Sequence, residues 1–311
     1  MENVSIMVTE LTKDELVNWF KLGQVTKLGP QKILKLLGYF NDLSSIYQAN
    51  DSELLQTRIF NEEMLKDFNK LRSASDENFI KNIEECNKKS IKILTLLDKN
   101  YPKELKFLQS PPLTLFLLGK TELFNGKKIA IVGTRQPDKK AAEYAFSLSN
   151  FLAEKGITIV SGGALGIDSE AHKGALSLET GKTISVLGSG FNNLYPPENT
   201  NLFDQIKKKG LLISEYLPNF KGSRISYLQR NRITSGLSNA LFLVAAQKIG
   251  GSLTQVKIAH EQRKSIFCPQ LNSNILPNEG VKEAIKKYGT QQIKDQEHLF
   301  RLLNSSLNSF L

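Results

Sequence analysis

From Lys127 onward the sequence repeats one unit: a short, wholly apolar run, a loop rich in glycine or arginine, then apolar residues at helical spacing. The runs predict strands at 128–133, 157–161, 183–187, 211–214, 240–245 and 265–268. The periodicity predicts helices at 138–154, 167–179, 199–208, 231–237, 252–262 and 280–288. The strand runs do not alternate apolar with polar residues, so both of their faces must be covered. This is the pattern of a parallel sheet between layers of helix, an α/β doubly wound fold.

In such a sheet ligands bind beyond the carboxyl ends of the strands, and the residues there are distinctive. Gly133-Thr134-Arg135 follows the first strand. Ser161-Gly162-Gly163-Ala164-Leu165-Gly166-Ile167-Asp168 follows the second and runs into a helix that starts near Ile167. Gly188-Ser189-Gly190-Phe191 and Tyr195-Pro196 follow the third, Glu215 the fourth, and Gly250-Gly251-Ser252 the fifth, opening another helix. Strand, glycine loop and helix start together hold an anion, because bare amides and the helix dipole both favour negative charge. One phosphate needs one such loop; several on one edge imply a chain of phosphates.

The charge distribution agrees. Of the 41 Lys and Arg and 31 Asp and Glu, residues 1–110 hold 16 of each, so residues 111–311 hold 25 and 15 and carry the whole net +10. No carboxylate occurs between Glu215 and Glu261, an interval that contains Lys221, Arg224, Arg230, Arg232, Lys248 and Lys257. A one-sign stretch of this kind attracts a polyanion. Arg135 is expected at the mouth of the pocket. Of Arg230 and Arg232, which flank Asn231, one is expected on phosphate and the other on Glu215.

No apolar run approaches the ~18 residues that span a membrane. The start of the chain, with Glu2 and Glu10, lacks an export pattern, and Cys86 and Cys268 stand far apart, so a cytoplasmic protein is expected. No metal-ligand spacing occurs. G-x-G-x-x-G and G-x-x-x-x-G-K-[ST] are both absent, so no nucleotide cofactor is expected. His172 lies one helical turn after Asp168 and is expected to pair with it structurally. Among Phe191, Tyr195, Phe220 and Tyr227, each near a loop, one could stack on a base.

Residues 1–72 read as a small helical module, with apolar clusters at Leu16, Trp19, Phe20 and at Leu34, Leu36, Leu37, Phe40. Between them Val25-Thr26-Lys27-Leu28-Gly29-Pro30 looks like a degenerate helix-hairpin-helix turn, with Lys27 where a glycine is usual. Such a turn could offer amides to DNA, but the neutral charge of this part favours simple packing. Residues 73–126 supply a helix and strands leading into the main domain at 127–290, and 291–311 read as one short helix.

These motifs together resemble the DNA-processing protein A family, DprA or Smf, over roughly residues 91–290. The likeness rests on Asp98 to Leu105 with Pro111-Pro112, Val132 to Arg135, the Ser161–Asp168 loop with Ala171-His172, and Val186-Leu187-Gly188 with Tyr195-Pro196 and Asn199. It continues through Ser214-Glu215, Arg230-Asn231-Arg232-Ile233 with Gly236-Leu237-Ser238, and Gly250, Ser252, Leu253, Thr254 and Ala259. Tyr227-Leu228 stands where the family usually has Phe-Pro, and Pro269-Gln270 where it has Pro-Gly. The resemblance implies an extended Rossmann-like domain, mostly parallel, behind a SAM- or helix-hairpin-helix-like module. It implies a non-catalytic, single-stranded DNA-binding protein that protects incoming DNA and loads a RecA-type recombinase in natural transformation, as a homodimer. With few residues after Gly289, the C-terminal winged helix of many relatives is expected to be missing. The residues expected on DNA are Gly133, Thr134, Arg135, Ser161, Gly162, Gly163, Gly166, Arg224, Arg230, Asn231, Arg232, Gly250, Gly251 and Ser252.

A second reading is an enzyme, a nucleoside-monophosphate phosphoribohydrolase-like Rossmann protein. That group has P-G-G-x-G-T-x-x-E at the fifth-strand loop. Ile249 to Lys257 carries no carboxylate at the matching place, so the acid needed for ribosyl cleavage is absent there.

Overall fold

The structure, a computed structural model, describes residues 11–305. Glu2, Glu10 and the tail from 306 to 311 lie outside the described residues. The chain divides into two compact units, Met1–Leu115 and Phe116–Leu311. The division falls inside the stretch 73–126 that reads as a bridge in the sequence.

In the first unit the helices are α1 (Lys13–Gln24), α2 (Pro30–Phe40), α3 (Leu43–Gln48), α4 (Asp51–Gln56), α5 (Glu62–Ser73) and α6 (Glu77–Lys88), followed by strand β1 (Lys92–Thr95) and a single turn, α7 (Lys103–Lys106). Thr12 and Glu15 start α1 with a reciprocal capping box. Trp19, Ile33, Leu37, Ile46 and Phe68 are fully buried and form the module's core. Lys27 takes a positive φ of 63° in the hairpin-like turn. The Thr26 amide donates to Asp67 Oδ2 at 2.7 Å, and Lys27 pairs with Glu63 at 2.8 Å. Carboxylates of α5 therefore engage the groups that a DNA-contacting hairpin would present to phosphate.

The second unit contains β2 (Thr114–Gly119) from Phe116 on, β3 (Lys128–Val132), α8 (Lys139–Glu154), β4 (Thr158–Ser161), α9 (Ile167–Leu176), β5 (Thr183–Leu187), α10 (Thr200–Lys209) and β6 (Leu211–Ser214). After these come α11 (Arg224–Gln229), α12 (Asn231–Leu237), β7 (Ala240–Leu243), α13 (Gly251–Glu261), β8 (Ser265–Pro269), α14 (Glu279–Tyr288), β9 (Gln291–Ile293) and α15 (Gln296–Ser305). Strands β2 to β9 pair in the order β2-β6-β5-β4-β3-β7-β8-β9. Only the β2–β6 pair among them is antiparallel.

Both faces of the sheet are covered, which explains the non-alternating strands. Ile129 and Ile131 of β3 join Leu148, Leu152 and Leu299 in one core, while Ala130 and Val132 join Val256, Ile266 and Val281 in the other. The parallel register (Ala130 beside Val160, Val132 beside Leu243, Leu187 beside Ser214) brings the loops after β3, β4, β5, β6 and β7 out on one edge. This is the extended Rossmann-like, doubly wound architecture expected from the sequence.

Two elements differ from expectation. Residues 291–293 form an edge strand on β8 before the final helix begins at Gln296, rather than starting that helix. Only Ile293 of the three is buried, so no apolar run betrays the strand. Helix α11 is too short to show a period, and its start comes from Ser223 and Ser226, which form a capping box. No helix among the described residues is long and apolar enough to cross a membrane.

Candidate nucleic-acid interface

An open cleft of about 340 Å³, solvent at its mouth included, lies on the carboxyl edge of the sheet, lined by Arg135, Gly162, Ala164, Leu165, Tyr195, Pro196, Tyr227 and Arg230.

The loop after β3 is fixed from both sides. The Thr134 amide donates to Ala245 O at 2.8 Å, and the Ile167 amide donates to Thr134 O at 3.2 Å. Gly133 is squeezed between Ile167 and Ala245, where a Cβ would come within 2.6 Å of the Ile167 side chain. Gly133 and Thr134 thus hold the loop, and Arg135 is left exposed at the mouth.

The loop after β4 closes on itself. Ser161 Oγ donates to Ile131 O at 2.7 Å, which ties the loop to the sheet. Asn199 Nδ2 donates to Gly163 O at 2.9 Å. The Gly162 and Ala164 amides donate to Asp168 Oδ2 at 3.1 and 3.4 Å. The loop's own carboxylate therefore engages two of the amides that were expected to face phosphate. Gly163 and Gly166 have φ of 70° and 77°, the left-handed region that favours glycine.

Arg230 is buried, and its guanidinium lies directly over Gly162. Its Nε and Nη1 have no hydrogen-bond partner. Burial lowers the pKa of Arg230, and the nearby Arg135 charge adds to this, while Asp168 opposes it. Burial raises the pKa of Asp168, and Arg230, the Ala164 and Gly162 amides and Ser161 work against that rise. Arg232 instead pairs with Glu215, its Nη1 donating to Oε2 at 2.9 Å and its Nη2 to Oε1. Of the two arginines expected to divide these roles, Arg232 is the one on Glu215, and Arg230 lines the cleft. Asn231 is buried between them, and Arg224 is exposed in the first turn of α11.

His172 does not pair with Asp168 as the spacing suggested. Its Nδ1 lies 2.7 Å from Thr183 Oγ1. The Thr183 hydroxyl is spent on Ile159 O at 2.9 Å, so the imidazole must donate from Nδ1. Nε2 is left buried and without a partner. Burial first, then Arg230, pushes the His172 pKa down to about 3.

Gly250, Gly251 and Ser252 open α13 without a side-chain cap, and a Cβ on either glycine would meet open space. They lie after β7 on the same edge but do not line the cleft. Of the aromatic candidates, Phe191 is buried and Phe220 stacks on Tyr216 with centroids 4.4 Å apart. Tyr195 and Tyr227 line the cleft as a tilted pair at 5.7 Å, Tyr195 being half exposed. Sequence reasoning missed the role of Asp168. Its signal was present: a carboxylate at the first turn of a helix, close enough to turn back on the preceding loop. No cluster of His, Cys, Asp and Glu able to hold a metal occurs among the described residues.

A doubly wound, mostly parallel sheet with a cleft on its carboxyl edge, where two nitrogens of a buried arginine lack partners, defines a Rossmann-like fold. The chain belongs to the DNA recombination-mediator protein A family, whose family model matches residues 92–304. It is 33% identical to Protein Smf of Synechocystis sp. over 83% of this chain and 65% of that one. It is 36% identical to DNA processing protein DprA of Bacillus subtilis, over 68% of this chain and 71% of the relative. For DprA of Streptococcus pneumoniae the identity is 31%, over 83% and 86%.

Among solved structures, S. pneumoniae DNA processing protein A superposes with a TM-score of 0.77 at 27% identity, covering 94% of this chain and 98% of that one. The Helicobacter pylori protein superposes with a TM-score of 0.62 at 30% identity, covering 71% and 98%, in work describing that protein's single-stranded DNA binding mode.

Proposed function

We propose that this chain binds single-stranded DNA through the cleft, without catalysing a reaction on it, and so takes part in processing DNA for transformation. The observation that carries this reading is Arg230: buried, charged, with two nitrogens unpartnered at a cleft whose mouth bears Arg135. A buried guanidinium with free N–H groups is built for a phosphate, since charge-assisted hydrogen bonds are the strong ones. In this reading Arg135 and Arg230 contact the backbone directly. Gly133, Thr134, Ser161, Gly162, Gly163, Gly166 and Asn231 shape the loops that present them. Arg224 and the start of α13 at Gly250, Gly251 and Ser252 attract the flanking phosphates, and Tyr195 and Tyr227 offer faces for a base to stack on. The H. pylori relative's single-stranded DNA binding mode supports the choice of ligand.

Membership of the family supports a wider role in this reading: protecting incoming strands and handing them, as a homodimer, to a RecA-type recombinase. The test is fluorescence anisotropy of a labelled dT oligonucleotide with the full chain. Arg135→Ala and Arg230→Ala are each expected to weaken binding about tenfold or more, with far-UV circular dichroism unchanged. Wild-type affinity in the folded Arg230 variant would sink the reading.

A further inference from the structure

Asp168 is the carboxylate around which the cleft is built. It sits buried in the first turn of α9, and its Oδ2 accepts the Gly162 and Ala164 amides at 3.1 and 3.4 Å. Those amides belong to the glycine loop that would otherwise face an incoming anion. Arg230 lies against the same loop, over Gly162, with Nε and Nη1 unpartnered. Asp168 and Arg230 act on one another through space rather than by a hydrogen bond. An unpaired buried cation is costly, and a fixed carboxylate nearby offsets that cost. A protein carboxylate thus lies behind the loop that lines the cleft. When a phosphodiester enters, two anions share Arg230 and Arg135, and the carboxylate opposes the newcomer.

We propose that Asp168 is a built-in surrogate anion: it holds the loop amides and Arg230 in place while the cleft is empty, and its charge limits how tightly the cleft holds a phosphodiester. This rests on the reading of the cleft as a DNA phosphate site. Asp168 is a positioning residue that acts through Arg230. Asp168→Asn keeps an oxygen that accepts the two amides, removes the charge and turns the second oxygen into an amide donor. Affinity for the strand then rises, on the order of tenfold, because the charge of Arg230 is no longer shared with a protein carboxylate. The empty protein also becomes dependent on added anions, because any anion that fills the cleft stabilises the folded state.

The experiment measures binding of a labelled dT oligonucleotide to the full chain carrying Asp168→Asn, Arg230→Gln or both, and the thermal midpoint of each with and without inorganic sulfate. Asp168→Asn is expected to bind about tenfold more tightly and to gain more from sulfate than the wild type; in the Arg230→Gln background the affinity gain disappears, because the two residues are coupled. Unchanged or weaker binding by a folded Asp168→Asn, or the same change with and without Arg230, overturns the proposal and leaves Asp168 a loop brace. Wild-type binding by Arg230→Gln removes the phosphate reading itself, and this proposal with it. If Asp168→Asn unfolds at low salt, recovery in sulfate supports the proposal and failure to recover overturns it.

Discussion

Gly162 and Gly166 stand in one loop, and their neighbours assign them different fates. A Cβ on Gly162 would lie 1.5 Å from Arg230 Nη1, so the side chain that must yield is the proposed phosphate ligand. A Cβ on Gly166 would meet backbone, Thr134 O at 2.5 Å, at a φ of +77°. Gly162→Ala is therefore expected to fold and to lose binding, about tenfold or more, by displacing the guanidinium. Gly166→Ala is expected to lose roughly 1–3 kcal/mol of stability in denaturant unfolding. Equal effects of both on stability would count against this division. His172 gives a second residue-level expectation. Its folded pKa of about 3 lies below the ordinary histidine value, so the unfolded chain binds the proton more readily. Its contribution to stability is complete above about pH 6.5 and is lost as pH falls toward 3, on the order of 4 kcal/mol across the window. His172→Gln should flatten the pH dependence of the denaturation midpoint between pH 7 and 4; an unchanged slope would show that other groups govern it. At this scale the sequence was partly legible. Arg135 and Gly162 could be found because they follow strands. The choice between Arg230 and Arg232 could not be made, because it depends on which side of α12 faces Glu215.

Helix α11 carries Tyr227 and delivers the chain to Arg230, and its placement depends on one hydroxyl. Ser226 Oγ donates to Gly188 O at 2.6 Å and also takes the Ser223 amide at 2.8 Å, closing the capping box. Ser226→Ala removes the tie to the β5 loop and half of the cap. It is expected to cost about 1–2 kcal/mol in stability and to weaken strand binding several-fold through faster dissociation, although Ser226 itself faces no ligand. Stopped-flow dissociation against unlabelled oligonucleotide measures the effect, and an unchanged rate would mean that α11 is held by packing alone. This element was invisible in the sequence for the reason that makes it useful. It is a six-residue helix whose start is set by serines, not by an apolar period. The strands β3 to β8 were legible because burial on both faces leaves an unbroken apolar run. β9 was not, because an edge strand with one buried residue leaves none.

Across the molecule, the feature that sequence and fold share is the separation of charge from neutrality. The excess of ten positive charges lies wholly in residues 111–311, and the carboxylate-free interval from 216 to 260 runs through α11, α12, β7 and all of α13 but its last residue. The parallel register brings the loop after β6 to the same edge as Arg135 and the Ser161–Asp168 loop. Arg135 and Arg230 on that edge repel one another, and hydrophobic burial does not offset that repulsion. A polyanion offsets the repulsion and releases its own counterions in doing so. If the rim holds ~4–6 phosphates, the affinity for a dT oligonucleotide should fall with salt on a log–log slope of about −3 to −4. The Tyr195–Tyr227 pair adds a preference that charge alone would not give. An unpaired strand can turn a base toward the rings, and a duplex of the same charge cannot. The salt titration should therefore show a steeper fall for the duplex, about −0.9 per contact against about −0.7, and tighter binding of the single strand. A flat response would remove the electrostatic basis of the rim. Equal affinity for duplex and single strand would leave the rim intact but strip the two tyrosines of any part in choosing the ligand.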